Sequence, residues 1–409
     1  MMGSRLKPRP AYTDRLQAFR DSDMIKVITG IRRCGKSSVL ALFRDQLREQ
    51  GIDDAHIVFM NLESLQYDHL TDYLAFYREV SGRIPQSGRC YLMFDEIQQV
   101  SQWERAVESF RLDFDVDIYI TGSNAWMLSS ELATYLSGRY VEIRIYPLSF
   151  KEFLSFCTFP ETMSIEERFR HYMRIGGMPA LALDPFNEDY CRMTLEGIYS
   201  TVVLKDIMRR ATMQSQSTLE RIAKFLCQNI GSLISPNKIA NVLQSEGEID
   251  SRQGIARKTV LRYLELLDSS FIFSNVERYN IRGKELLRTL EKYYIVDLGF
   301  RSLLLGYRDT DRGHLLENIV YLALRRRGYR VYVGKNGEYE VDFVAETPHE
   351  RIYIQVTETL LSEETREREL RPLRSIKDHH PKIVLSLDRD FNDSYEGIRS
   401  VNVMDWLLV

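Results

Sequence analysis

Gly30-Ile-Arg-Arg-Cys-Gly35-Lys36-Ser37 has the form G-x-x-x-x-G-K-S, and the residues on either side decide how it reads. Before it, Ile25-Lys-Val-Ile-Thr29 predicts a short buried strand. After it, Ser38-Val-Leu-Ala-Leu-Phe-Arg-Asp-Gln-Leu47 predicts a helix with an apolar stripe. Strand, glycine loop and helix in that order form the context a phosphate-binding loop requires. In such a loop consecutive main-chain N–H groups converge on phosphate oxygens, and the helix N-terminus adds partial positive charge. Lys36 is then placed to reach the β- and γ-phosphates of a nucleoside triphosphate, and the Ser37 hydroxyl to ligate magnesium. Residues expected at the nucleotide are Gly30, Arg33, Cys34, Gly35, Lys36, Ser37 and Ser38. An ordinary strand-to-helix turn is the competing reading, and the flanking pattern weighs against it.

A second motif follows about sixty residues downstream. Tyr91-Leu-Met-Phe94 is a compact apolar strand ending in Asp95-Glu96. A carboxylate at a strand tip beside the phosphate loop suits magnesium, which is the role expected of Asp95. Glu96 is expected to polarise the attacking water as general base. A third strand, Asp117-Ile-Tyr-Ile-Thr121, leads to Gly122-Ser123-Asn124. A polar side chain there either orients the water and senses the γ-phosphate or belongs to a simple strand-ending turn.

The chain has 409 residues, enough for two to four domains. Its 44% apolar and 28% charged residues are those of a globular protein. No window approaches a membrane-spanning apolar run, and the basic N-terminus is not followed by an apolar stretch, so neither a transmembrane helix nor a secretory signal is expected. The five cysteines form no C-x-x-C pair, which argues against disulfides or structural zinc and for the cytoplasm. With a net charge of −3, nucleic-acid contact must come from local basic patches.

Along the chain, strand and helix patterns alternate through residues 1–146, which predicts a mainly parallel α/β core. A helical lid is expected over 147–211, broken by Gly176-Gly177-Met178-Pro179. Residues 212–305 read as two helices, a turn and a β-ribbon, the order of a winged helix-turn-helix. Arg257, Lys258 and Arg262 would lie on its second helix and Lys284 in its ribbon, as candidate DNA contacts. Such basic faces are also found simply solvated. Residues 306–409 contain a helix beginning near Glu317 and strands carrying Asp342 and Gln355, three polar positions that could converge on one metal.

Taken together these motifs resemble a bacterial and archaeal family of AAA-type P-loop ATPases with a C-terminal domain of unknown function. The resemblance rests on Gly30–Ser38, Phe94-Asp-Glu-Ile-Gln98, Ile120-Thr-Gly-Ser-Asn124 and Ser137-Gly-Arg-Tyr140. It rests also on Pro147-Leu-Ser-Phe-Lys-Glu-Phe153, Gly176–Pro179, Leu316-Glu-Asn318 and Glu340-Val-Asp-Phe343. It implies a P-loop core with a helical lid, then a winged helix-turn-helix, then an α/β restriction-endonuclease-like domain. It also implies ATP and Mg2+ as cofactors, hydrolysis, and Asn124 or its neighbour Ser123 as sensor. Arg139 is implied as an arginine finger acting on a neighbouring copy in a ring or dimer. Without an N-K-x-D element, guanine recognition has no support. One departure stands out. The endonuclease pattern places lysine two residues after Gln355, but Thr357 stands there, so Glu317, Asp342 and Gln355 form a degenerate site that is not expected to cut. Three functional readings follow: an ATP-driven DNA-associated switch, a nucleotide-gated regulatory or defence switch that contacts protein, and an ATP-dependent nuclease.

Overall fold

Why Ile25–Thr29 carries apolar residues on both faces, at Ile25, Val27 and Ile28, is clear from its neighbours. The computed structural model describes residues 6–123, 136, 138–202, 207–208, 216–245, 255–307, 311–389 and 394–409. In it, β1 (Ile25–Thr29) lies between β4 (Val116–Thr121) and β5 (Tyr140–Arg144), buried along its whole length. A strand covered on both faces needs apolar residues throughout rather than at alternate positions. Besides Thr29, Lys26 is the exception, and it is fully buried. Its ammonium pairs with Asp117 of β4 and sits 5.0 Å above the Tyr119 ring. Burial without that partner would be strongly unfavourable.

The first of two compact units comprises residues 1–147 with 269–271. Adding β2 (Ile57–Asn61) and β3 (Cys90–Asp95) gives a five-stranded sheet of order β2-β3-β4-β1-β5, parallel throughout. All carboxyl ends therefore share one edge, the edge where open parallel sheets bind ligands. Helices α1 (Pro10–Ala18), α2 (Lys36–Glu49), α3 (Tyr73–Ser81) and α4 (Trp103–Asp113) precede β1, β2, β3 and β4 in turn. Val39, Leu40, Phe43 and Leu47 form the buried face of α2, at the i, i+4 spacing that puts residues on one helix face. Phe76 of α3 meets Phe94 of β3 and Phe110 of α4 edge-on, with centroids 4.9 and 5.7 Å away. That aromatic knot fixes β3, and hence its terminal carboxylates.

The second unit, 148–268 with 272–409, opens with helices Phe150–Phe156, Ile165–Ile175 and Glu188–Thr201. Ser149 and Ser164 each close a capping box at the first two. The Gly176-Gly177 breaker has a specific cause. Asp297 is buried and accepts hydrogen bonds from Gly177 N at 2.7 Å and Gly299 N at 2.8 Å. Gly176 has φ 81°, and a Cβ on it would lie 1.9 Å from Asp297 Oδ1. Only glycine fits there.

Helices Gln216–Gln228, Pro236–Ser245 and Ile255–Ser269 precede the ribbon β6 (Phe273–Asn280) and β7 (Glu285–Ile295). The structure departs from a free-standing wing at this point. Strand β6 pairs in parallel with β8 (Arg330–Asn336), joining the ribbon to an eight-stranded sheet with β9 (Tyr339–Glu346), β10 (Arg351–Val356), β11 (Lys382–Ser386), β12 (Ser394–Tyr395) and β13 (Ile398–Asn402). The order is β12-β13-β11-β10-β9-β8-β6-β7. An isolated ribbon would leave two rows of unpaired main-chain groups, and β8 satisfies one of them. No helix among the described residues is long and apolar enough to cross a membrane.

Candidate active site

The loop from β1 to α2 bends through residues with positive φ, Gly30 (140°), Arg33 (64°) and Gly35 (102°). Gly30 is required for a second reason: a Cβ there would stand 2.2 Å from Ile145 O. Lys36 opens α2 and is buried; its Nζ donates to Gly30 O at 3.0 Å and Ile31 O at 3.3 Å and stands 3.9 Å from Glu96 Oε1. Arg33 and Ser37 are exposed and Ser38 is half-buried. Cys34 points inward, and burial raises its thiol pKa, so it is packing rather than a reactive group.

Opposite the loop, Asp95 closes β3. Its Oδ1 accepts from Ser37 Oγ at 3.0 Å and from Thr121 Oγ1 at 2.6 Å. Thr121 Oγ1 in turn accepts from Glu96 N at 2.9 Å. Glu96 is held at φ 55°, a conformation unusual for a residue with a side chain and common at functional sites. Its carboxylate accepts from Gln98 Nε2. Burial raises the Glu96 pKa, while the nearby Lys36 charge pulls it down. The arrangement therefore joins a glycine loop, a lysine, a hydroxyl–carboxylate pair of the kind that can hold a hard cation and a buried carboxyl of the kind that can accept a proton.

Two contributors escaped the sequence reading. Thr121 ties both acids together, and its place as the last residue of a strand gives no sign of that contact. Arg9, 2% exposed, donates to Cys34 O at 3.0 Å and Tyr146 O at 2.9 Å, bracing the back of the loop. No local pattern marks an arginine 25 residues before its partner.

The remaining expected residues are scattered. Ser123 is buried just past β4, and Asn124 lies outside the described residues. The carbonyl of Arg139 accepts from Ile25 N at 2.9 Å, at the amino end of β1. That is one strand length, about 16 Å for five residues, from the phosphate loop of the same chain. Its guanidinium is half-exposed and pairs with Glu108. Arg257, Lys258 and Arg262 are exposed along the helix Ile255–Ser269, and Lys284 is exposed in the β6–β7 turn. Glu317, Asp342 and Gln355 do converge, in a cleft of about 620 Å³ that also contains Lys292 and Thr357. Asp342 N donates to Gln355 Oε1 at 3.3 Å, and Val356 N donates to Asp342 Oδ2 at 2.9 Å. Among the described residues no three His, Cys, Asp or Glu side chains are grouped to hold a metal ion.

An AAA domain family matches residues 22–154, and a domain of unknown function matches residues 166–311. An uncharacterised protein of Haemophilus influenzae is 40% identical over the whole of both chains. The chain belongs to the family this protein represents, built on a P-loop AAA-type ATPase core. A second uncharacterised protein, from Methanocaldococcus jannaschii, is 28% identical over 93% of this chain and 85% of its own. The Walker-type ATPase of Pyrococcus abyssi shares the fold at 15% identity, with a TM-score of 0.50 over 73% of this chain and 95% of that one.

Proposed function

We propose that this protein binds ATP with magnesium, hydrolyses it, and couples the nucleotide state to DNA as an oligomer in the cytoplasm. The observation that carries the reading is the joint position of Ser37, Asp95 and Glu96 against the phosphate loop. ATP phosphates would take over the Lys36 contacts now made by Gly30 O and Ile31 O. Ser37 Oγ and Asp95 form a hard-oxygen donor set that fits magnesium, which when bound offsets charge on the β- and γ-phosphate oxygens. Glu96 takes the proton of the attacking water; its raised pKa makes it a better base than a solvated carboxylate. Arg139 stands too far from its own loop to act there. Its exposure at the opposite end of the sheet supports action on the site of a second copy, where a guanidinium offsets transition-state charge. Ser123 or Asn124 is our candidate γ-phosphate sensor.

The purified protein should hydrolyse ATP in a Mg2+-dependent reaction that Lys36→Ala reduces to background. Equal rates in the two proteins would remove this reading.

For the second unit we assign DNA contact to the exposed Arg257, Lys258 and Arg262, with Lys284 from the ribbon, in a winged helix-turn-helix arrangement. A protein-contacting switch is the second reading, favoured by the ribbon being built into the large sheet with β7 at its edge. Filter binding separates them. Phosphate contacts make retention fall with salt and disappear in Arg257→Glu/Lys258→Glu; retention unchanged by that variant, or none at all, favours the protein switch.

A further inference from the structure

Lys292 comes from the middle of β7, yet its side chain is 2% exposed and ends among three carboxylates. Its Nζ lies 2.8 Å from Glu317 Oε1, 2.8 Å from Glu340 Oε1 and 3.6 Å from Asp342 Oδ1. These are residues of the cleft in which a metal-dependent nuclease of the resembling fold would bind its cation. We propose that Lys292 is the resident cation of this cleft. Its ammonium takes the place a divalent metal would need, so the cleft binds no metal and does not cleave phosphodiesters.

Three observations carry this. The oxygens a metal would use are already engaged: Glu317 Oε1 accepts from Lys292 Nζ and also from Tyr294 OH at 2.5 Å. Asp342 Oδ2 is bonded to Val356 N, and Gln355 presents its amide to Asp342 N and, through Nε2 at 3.1 Å, to Glu369. Second, a divalent ion binds carboxylate oxygens at about 2.0–2.6 Å, and no such ion can share the centre of this group with an ammonium. An ammonium at 2.8 Å from two carboxylates is in ordinary charge-assisted hydrogen bonding. Third, the rest of the lining opposes nucleic acid. Among the described lining residues, four carboxylates besides Asp342, those of Glu317, Glu340, Glu358 and Glu369, face Lys292 and Arg368 as fixed cations, so a phosphodiester approaching without a metal meets net negative charge. Thr357, standing where the nuclease lysine belongs, donates its hydroxyl to Thr359 O at 3.3 Å and adds no charge.

The inference is independent of the ATPase reading and is tested with that site disabled. In an Asp95→Asn background without nucleotide, Mn2+ binding is counted by electron paramagnetic resonance for the full chain. No cleft site is expected with Lys292 intact. Lys292→Met should create one Mn2+ site, at least ten-fold tighter than any background binding, and adding Asp342→Asn should abolish it. A folded Lys292→Met protein that gains no site would overturn the proposal. So would an Mn2+ site in the protein with Lys292 that disappears on Asp342→Asn, or Mg2+-dependent DNA cleavage that requires Lys292. If circular dichroism shows that Lys292→Met does not fold, the comparison with and without Asp342→Asn decides alone, supporting the proposal only when neither protein binds Mn2+ in the cleft.

Discussion

Ser37 Oγ and Asp95 Oδ1 are hydrogen-bonded at 3.0 Å although the strands that deliver them are not neighbours. Ser37 follows β1 and Asp95 ends β3, with β4 between them in the sheet. Thr121, at the end of β4, fills the gap and bonds the same oxygen. Three consecutive strand positions thus converge on one carboxylate, and the catalytic candidate Glu96 is fixed one residue beyond it by Thr121.

Replacing Glu96 with Gln keeps the shape and the Gln98 contact but removes the base. ATP affinity should stay within a few-fold while turnover falls about 100- to 1,000-fold. The native pH–rate profile should show an acid limb with its midpoint above that of an ordinary glutamate, because burial raises this pKa. Activity rises with pH as the carboxyl ionises, and the limb vanishes in Glu96→Gln. A native midpoint at or below the usual glutamate value would remove Glu96 from the role.

Gly30→Ala introduces a methyl group 2.2 Å from Ile145 O at φ 140°. The loop must shift or the strand end must separate, at a cost of about 3 kcal/mol or more. Thermal unfolding should drop by several degrees and nucleotide binding should be lost. An unchanged melting profile would show that the backbone there is not constrained as described.

Arg139→Ala breaks a half-exposed ion pair with Glu108, worth at most about 1 kcal/mol. Stability should hardly change, whereas hydrolysis should be lost if the guanidinium acts on a second copy. Mixing Arg139→Ala with Lys36→Ala subunits then restores part of the activity, since one interface regains an intact loop facing an intact arginine. No recovery from a mixture shown by mass measurement to co-assemble would exclude this role.

Asp297 supplies a pH dependence of stability. Burial pushes its pKa up to about 6, against the main-chain donors Gly177 and Gly299, which lower it. The folded pKa lies above the unfolded one, so its stabilising contribution is complete below the unfolded value near 4 and is lost as pH rises through about 6. The span corresponds to roughly 3 kcal/mol. Denaturant midpoints measured between pH 4 and 7 should fall over this window in the native protein. Asp297→Asn should flatten that fall, and an identical slope in the variant would contradict the assignment.

The phosphate loop, the acid pair and the α/β alternation were legible because each is a local pattern. Gly30 and Gly35 need a backbone few residues adopt, and a strand buried on both faces needs apolar residues on both. The ribbon was legible as a strand pair but not as part of the larger sheet. Pairing of β6 with β8 joins residues more than fifty positions apart, and periodicity carries no information about such partners.

By itself, then, the sequence determined the order of the elements and the backbone shape of one loop, since main-chain conformation and local burial are written residue by residue. Only the tertiary structure decided which distant side chains share a site. Arg9 and Thr121 join the loop, Arg139 stands a strand length away from it, and Lys292 enters the carboxylate cleft from a strand the sequence assigned to a different domain. The physical reason is that convergence depends on sheet order and on burial of opposite charges together, and neither is set by neighbours along the chain.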